Sequence, residues 1–103
     1  MRFIETPIFT EDIEDELSLE EYRQLQLALL LRPTQGELIR GYGGLRKIRW
    51  RRPGMGKRGG LRVIYFVRYQ PNEFWMLTLY AKAQQENVPA HILRQLKEAF
   101  ERG

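Results

Sequence analysis

The chain has 103 residues, of which 43% are hydrophobic and 29% charged, and its formal net charge is +4. This length and composition predict a single globular domain over residues 1–103 and exclude a disordered chain. The sequence contains no cysteine, which excludes disulfides and thiolate metal sites, and no apolar run approaches the roughly 20 residues that span a bilayer. The start of the chain does not read as a signal peptide, which favours a cytoplasmic protein without membrane contact.

The first third of the chain is acidic and carries the signals of two short helices. Eight of the 13 acidic residues lie in the first 21 positions. Thr6 followed by Pro7 is typical of a helix start, and apolar residues then recur every four positions. Ser18 and Glu21 have the spacing of a capping box, which begins a second helix, and Pro33 ends it. These signals predict an acidic N-terminal helical hairpin.

The middle of the chain predicts a β-sheet. Three runs are rich in β-branched and aromatic residues: 43–50, 61–67 and 74–82. Their short connections favour antiparallel pairing, and short strands are also expected over 1–5 and 37–40. Pro89 opens a C-terminal helix with one apolar face. The predicted fold is therefore α+β, a small antiparallel-dominated β-sheet with two N-terminal helices and a C-terminal helix.

The charged residues of this predicted sheet nearly all carry positive charge. The segment between Glu37 and Glu73 contains ten lysines and arginines and no acidic residue. Because clustered like charges repel, such a sheet favours a polyanion as its partner. A turn is predicted at residues 70–73, and if it closes a hairpin between the second and third runs, Arg62 would lie roughly opposite residues 81–82. Antiparallel pairing then predicts that four cations converge at one end of the sheet: Arg49, Arg51, Arg62 and Lys82.

Alternation along the first run puts Lys47, Arg49 and Arg51 on one face and leaves Ile48 and Trp50 on the other. The arginine fork matches phosphate oxygens, so this face is a predicted phosphate-binding surface. RNA carries its own nucleophile, the 2′-hydroxyl. A lysine base with positioned arginines therefore predicts cleavage that needs neither metal nor cofactor. Four aromatic rings are candidates for stacking on bases, namely Tyr42, Tyr65, Tyr80 and Trp50, and for Trp50 a position in the core is the stronger prediction.

Three motifs carry a resemblance to a known family: GGLRKIR at 43–49, GKRGGLRVIYF at 56–66 and LTLYAK at 77–82. Together they resemble the RelE/HigB-type toxins of bacterial type II toxin–antitoxin systems, the HigB-like branch most of all, over nearly the whole chain. The resemblance implies a RelE-like microbial RNase fold and a metal-independent endoribonuclease. It also implies mRNA cleavage in the A site of the 70S ribosome through 2′-hydroxyl attack, and control by a cognate antitoxin with a DNA-binding domain.

The resemblance also implies roles for particular residues. The catalytic residues that it implies are Lys47, Arg49, Arg62 and Lys82. Lys47 is the first choice of general base, and the two arginines would bind the scissile phosphate. Independently of the resemblance, the basic charge and the aromatic rings of this segment predict that RNA is bound by Arg46, Arg51, Arg52, Lys57, Arg58 and Tyr80. Some members have lysine at the position of Arg49 and arginine at that of Ala83, and a tyrosine near their C-terminus has no match here.

Two other functions remain open at this point. A related toxin branch with the same fold poisons DNA gyrase, which would require a protein-binding surface instead of a nuclease site. A plain RNA-binding module without chemistry would also account for the positive charge.

Overall fold

The computed structural model describes residues 1–51, 60–85 and 87–102. Its elements in chain order are β1 (Arg2–Glu5), α1 (Pro7–Glu16), α2 (Leu19–Leu31), β2 (Glu37–Leu38), β3 (Arg46–Trp50), β4 (Leu61–Tyr69), β5 (Asn72–Ala81) and α3 (Ala90–Arg102). The five strands form one sheet in the order β1-β5-β4-β3-β2. All neighbours pair antiparallel except β1, which runs parallel to β5. The predicted α+β fold with two N-terminal helices and a C-terminal helix is confirmed.

The caps predicted for the two N-terminal helices are present. The Thr6 hydroxyl accepts a hydrogen bond from the backbone N–H of Phe9 and donates one of 2.7 Å to the carbonyl oxygen of Leu77. The start of α1 is therefore tied to β5. Ser18 and Glu21 form the reciprocal capping box at the start of α2. Among the described residues, no helix combines the length and apolarity needed to cross a membrane.

The sheet has an apolar core on each face. The larger core lies beneath α1 and α2 and contains Phe9, Leu25 and Phe74, all fully buried. The smaller core lies beneath α3 and contains Ile64 and Leu93. Because strand side chains alternate between the faces, the two long strands β4 and β5 contribute to both cores. Lys47, Arg49 and Arg62 lie on the α3 side.

The pairing of β4 with β5 differs from the predicted register. Arg62 lies opposite Tyr80, not opposite residues 81–82. The hairpin closes more tightly than predicted, between Tyr69 and Asn72, and an irregularity at Ile64/Tyr65 shifts the register by one residue along the ladder. A shift of one residue changes which side chains share a face. Tyr80, not Lys82, is therefore the cross-strand neighbour of Arg62.

Tyr65 is part of the larger core, which corrects its prediction as a stacking platform. Its ring is fully buried. Its hydroxyl donates to the carbonyl oxygen of Pro33 at 2.9 Å and accepts from the backbone N–H of Gly36 at 3.0 Å. A Cβ on Gly36 would lie 2.8 Å from the Tyr65 hydroxyl, so only glycine permits this approach. Tyr65 thus fixes the loop that leads into β2.

Replacing Tyr65 with phenylalanine should destabilise the fold. The change would leave the buried N–H of Gly36 without its acceptor, which costs about 1–3 kcal/mol. Urea unfolding should therefore show a lower midpoint with an unchanged slope. The matched control is Tyr69→Phe, because this tyrosine of the same strand is 55% exposed and should tolerate the loss of its hydroxyl. Equal midpoints for the two variants would contradict the anchoring role of Tyr65.

Candidate functional site

Strand pairing gathers three cations on the α3 side of the sheet. Arg49 lies directly opposite Arg62, and Lys47 lies opposite Ile64 in the smaller core. Residues directly opposite one another point to the same face, so these cations share one surface. Ile48 and the other-face residues of β3 pack beneath α1 and α2, as the alternation predicted. We call the surface formed by Lys47, Arg49 and Arg62 the cation face.

Arg62 is the buried member of the cation face. It is only 7% exposed, and its Nη1 donates one long hydrogen bond of 3.4 Å to the carbonyl oxygen of Leu61. Within the described ranges its guanidinium forms no ion pair with a carboxylate. A buried charge without a counter-charge lowers the stability of the fold, and an anion arriving there would restore it. A buried guanidinium of this kind is chemically suited to bind an anion such as phosphate.

Gly60 makes room for the Arg62 guanidinium and links it to the end of β5. A Cβ at Gly60 would lie 3.2 Å from Arg62 Nη1. The carbonyl oxygen of Gly60 accepts a hydrogen bond of 3.1 Å from the backbone N–H of Lys82. Lys82, just past β5, and Arg51, just past β3, are both exposed. The structure thus brings the four predicted cations to one end of the sheet.

Tyr80 lies within the smaller core beside the cation face. It is 7% exposed and packs with Ile64 and Leu93. Burial raises the pKa of the Tyr80 hydroxyl, and the positive charge of Arg62 opposes part of that rise. With Lys47 it lines a small cavity of about 60 Å³. A ring so enclosed does not offer a face to a base, so stacking by Tyr80 has no support from this geometry.

The other residues predicted to bind RNA lie apart from the cation face or beyond the described ranges. Arg46 lies on the opposite face, opposite Tyr65. Its Nη1 donates to the carbonyl oxygens of Thr34 at 3.1 Å and Gly36 at 2.8 Å. These bonds give Arg46 a structural role in the loop before β2 and place its guanidinium away from the cation face. Three predicted residues fall outside the described residues: Arg52, Lys57 and Arg58.

A carboxylate that the sequence did not suggest borders the cation face. Glu37 on β2 lies directly opposite Lys47 on β3. With Lys47 and Arg49 it lines an open groove of about 400 Å³. Glu37 stands just outside the basic stretch, on a strand of two residues, so only the strand pairing reveals that it belongs to this surface. Within the part of the chain that the structure describes, no group of three or more histidine, cysteine or acidic residues is arranged to hold a metal ion.

Comparison with known proteins identifies the fold. No family model matches the sequence. A solved structure of a mutant of the E. coli toxin RelE in the free state aligns with 94% of this chain and 94% of its own length, with a TM-score of 0.62. The chain has the RelE fold. The two sequences are only 14% identical, so the likeness concerns the arrangement of helices and strands. The RelE-like fold implied by the three sequence motifs is thereby confirmed.

Proposed function

We propose that this RelE-like protein is the toxin of a toxin–antitoxin system and acts as an endoribonuclease on mRNA in the A site of the 70S ribosome. The observation that carries the proposal is the buried Arg62 guanidinium, which has no carboxylate partner in the described ranges and lies opposite Arg49. The likeness to a toxin fold and the three sequence motifs point to the same class of protein. Because ribosomes translate mRNA in the cytoplasm, we propose that the protein acts there.

The cation face suits cleavage of a phosphodiester by the neighbouring 2′-hydroxyl. In the transition state the phosphoryl oxygens carry more negative charge than in the ground state, so cations fixed at that position stabilise the transition state preferentially. Arg49 and Arg62 offer two planar forks on adjacent strands for these oxygens. Lys47 lies two residues before Arg49 on β3, and Lys82 lies just past the end of β5. The products would be a 2′,3′-cyclic phosphate and a free 5′-hydroxyl, and no metal or cofactor is required to neutralise charge.

These cations are poorly suited to remove a proton from the 2′-hydroxyl. The sequence resemblance assigns the base to Lys47, with Lys82 second. A lysine is an ammonium at neutral pH and must lose its own proton before it accepts another, and an arginine does not deprotonate usefully. Reaction on free RNA should therefore be slow. The ribosome would contribute by holding the message with its 2′-hydroxyl, phosphorus and leaving oxygen in line.

An antitoxin partner follows from the same surface. An inhibitor with acidic side chains over the cation face would neutralise the charge that Arg62 brings to the fold. We propose that this partner is a separate chain with a DNA-binding domain of its own. Exposed leucines on α2, among them Leu27 at 59% and Leu31 at 83%, offer additional apolar surface for a bound protein.

Adding the purified protein to a translating extract should produce new message ends. Mapping of those ends should place them within translated codons, while gyrase supercoiling in a parallel reaction should proceed unchanged. Co-expression of the cognate antitoxin should prevent both the cleavage and the growth arrest that the toxin causes. Loss of supercoiling with intact message would instead support the gyrase-poisoning function. RNA binding without new ends would support the non-catalytic module.

A further inference from the structure

The short strand β2 gives the cation face a side chain that can accept a proton. We propose that Glu37 is the general base that removes the proton from the attacking 2′-hydroxyl. The inference rests on the proposed ribonuclease function and assigns Lys47 to charge stabilisation instead of proton transfer. Its motivating observation is the direct cross-strand pairing of Glu37 with Lys47 in a groove that Arg49 also lines.

The position of Glu37 is fixed by the structure around it. Residues directly opposite in an antiparallel pair have Cβ atoms about 4.5–5.5 Å apart, so Glu37 and Lys47 point to the same face. Ile39, two residues further on, packs against the smaller core on that face. The preceding loop is held by the hydroxyl of Tyr65 and the guanidinium of Arg46. Glu37 therefore emerges from an anchored backbone, which a positioned base requires.

The carboxylate is available for chemistry. Glu37 is exposed and, within the described ranges, forms no ion pair shorter than 4 Å, even with Lys47 across the strand. A glutamate is deprotonated at neutral pH, so it can accept a proton without first losing one. The groove it lines is of the size that binds small ligands, which allows a nucleotide to approach it.

The order of side chains across the sheet fits an in-line displacement. Glu37 lies on β2, Arg49 on β3, Arg62 on β4, and Lys82 just past β5. A phosphate held by the two arginines would have the carboxylate on one flank and the Lys82 ammonium on the other. In-line attack needs the proton acceptor and the proton donor on opposite sides of phosphorus.

The reaction step balances with these groups alone. The 2′-oxygen forms a bond to phosphorus and gives its proton to the Glu37 carboxylate. The bond from phosphorus to the 5′-oxygen breaks, and that oxygen takes a proton from the Lys82 ammonium. The products are the 2′,3′-cyclic phosphate and the 5′-hydroxyl. Proton exchange with water then returns Glu37 and Lys82 to their starting forms.

Glu37→Gln tests the assignment, because the amide keeps the shape of the side chain and removes the base. Single-turnover cleavage of ribosome-bound message should slow on the order of 100-fold or more, the usual contribution of a positioned base. Ribosome affinity and melting temperature should not change. The matched control is Glu11→Gln, which removes one negative charge from an exposed position on α1 and should cleave at the wild-type rate. Glu37→Asp should retain part of the rate.

A message with sulfur in place of the leaving 5′-oxygen separates the base from the acid. A thiolate leaves without protonation, so this substrate should restore cleavage by Lys82→Gln and leave Glu37→Gln slow. Three results would overturn the role of Glu37. The first is that Glu37→Gln cleaves at the wild-type rate, and the second is that the sulfur substrate restores its cleavage. The third is that the melting temperature of Glu37→Gln falls in proportion to its lost rate. Absence of cleavage by the wild-type protein would instead refute the proposed function itself.

Discussion

Replacing Arg62 with methionine should slow cleavage by about 10²–10³-fold and leave the protein at least as stable as before. The guanidinium is buried and has no carboxylate partner in the described ranges, so its charge is unfavourable in the free protein. An apolar side chain of similar length removes that cost, and such replacements are often neutral or stabilising. Loss of one group that stabilises transition-state charge typically lowers the rate by about 10²–10³-fold. Single-turnover cleavage and urea unfolding measure the two effects on the same preparations.

Arg62→Lys is the matched variant for this experiment. It keeps the positive charge and loses the planar fork, so it should recover only a small part of the rate. A Cβ at position 60 would lie only 3.2 Å from Arg62 Nη1, so the space around this guanidinium is limited on that side. A strongly lowered unfolding midpoint for Arg62→Met, with residual activity that follows the folded fraction, would mark Arg62 as a structural residue instead.

Transfer of the message from solution to the ribosome should raise the cleavage rate by about 10⁵-fold or more. Fixed alignment of reacting groups contributes on the order of 7–11 kcal/mol to lowering a barrier. In the proposed function the cation face binds the phosphate through its charges, and the ribosome supplies the alignment of the sugar with the phosphate. The measurement compares single-turnover rates on one message, naked and in the A site, at saturating protein. Equal rates would contradict the ribosome dependence.

The elements with local signals were predictable from sequence. The caps of α1 and α2 need only a few neighbouring residues, namely Thr6, Ser18 and Glu21, and all of them are present. The alternation that separates Lys47 and Arg49 from the core residues of β3 also follows from strand geometry alone. Local signals of this kind were enough to predict the fold class and the end of the sheet at which the cations gather.

The features that depend on pairing between distant segments were not predictable. A one-residue irregularity within β4–β5 decides that Tyr80 lies opposite Arg62, and no local motif encodes it. Tyr65 is buried because its hydroxyl binds the backbone of a loop about 30 residues away. Glu37 joins the cation face through a strand of only two residues. Each of these is a tertiary contact, and two of them change which residues belong to the site.

The most direct test replaces the 2′-hydroxyl at the cleaved position of a ribosome-bound message with hydrogen. If the protein cleaves by internal attack on the phosphate held at Arg49 and Arg62, the substituted message should remain intact, while the unmodified message is cut and ends in a 2′,3′-cyclic phosphate. Binding of the protein to ribosomes carrying either message should be equal, which shows that only the chemistry was removed. Cleavage of the 2′-deoxy message at the wild-type rate would show that another nucleophile acts, and would contradict the proposed mechanism.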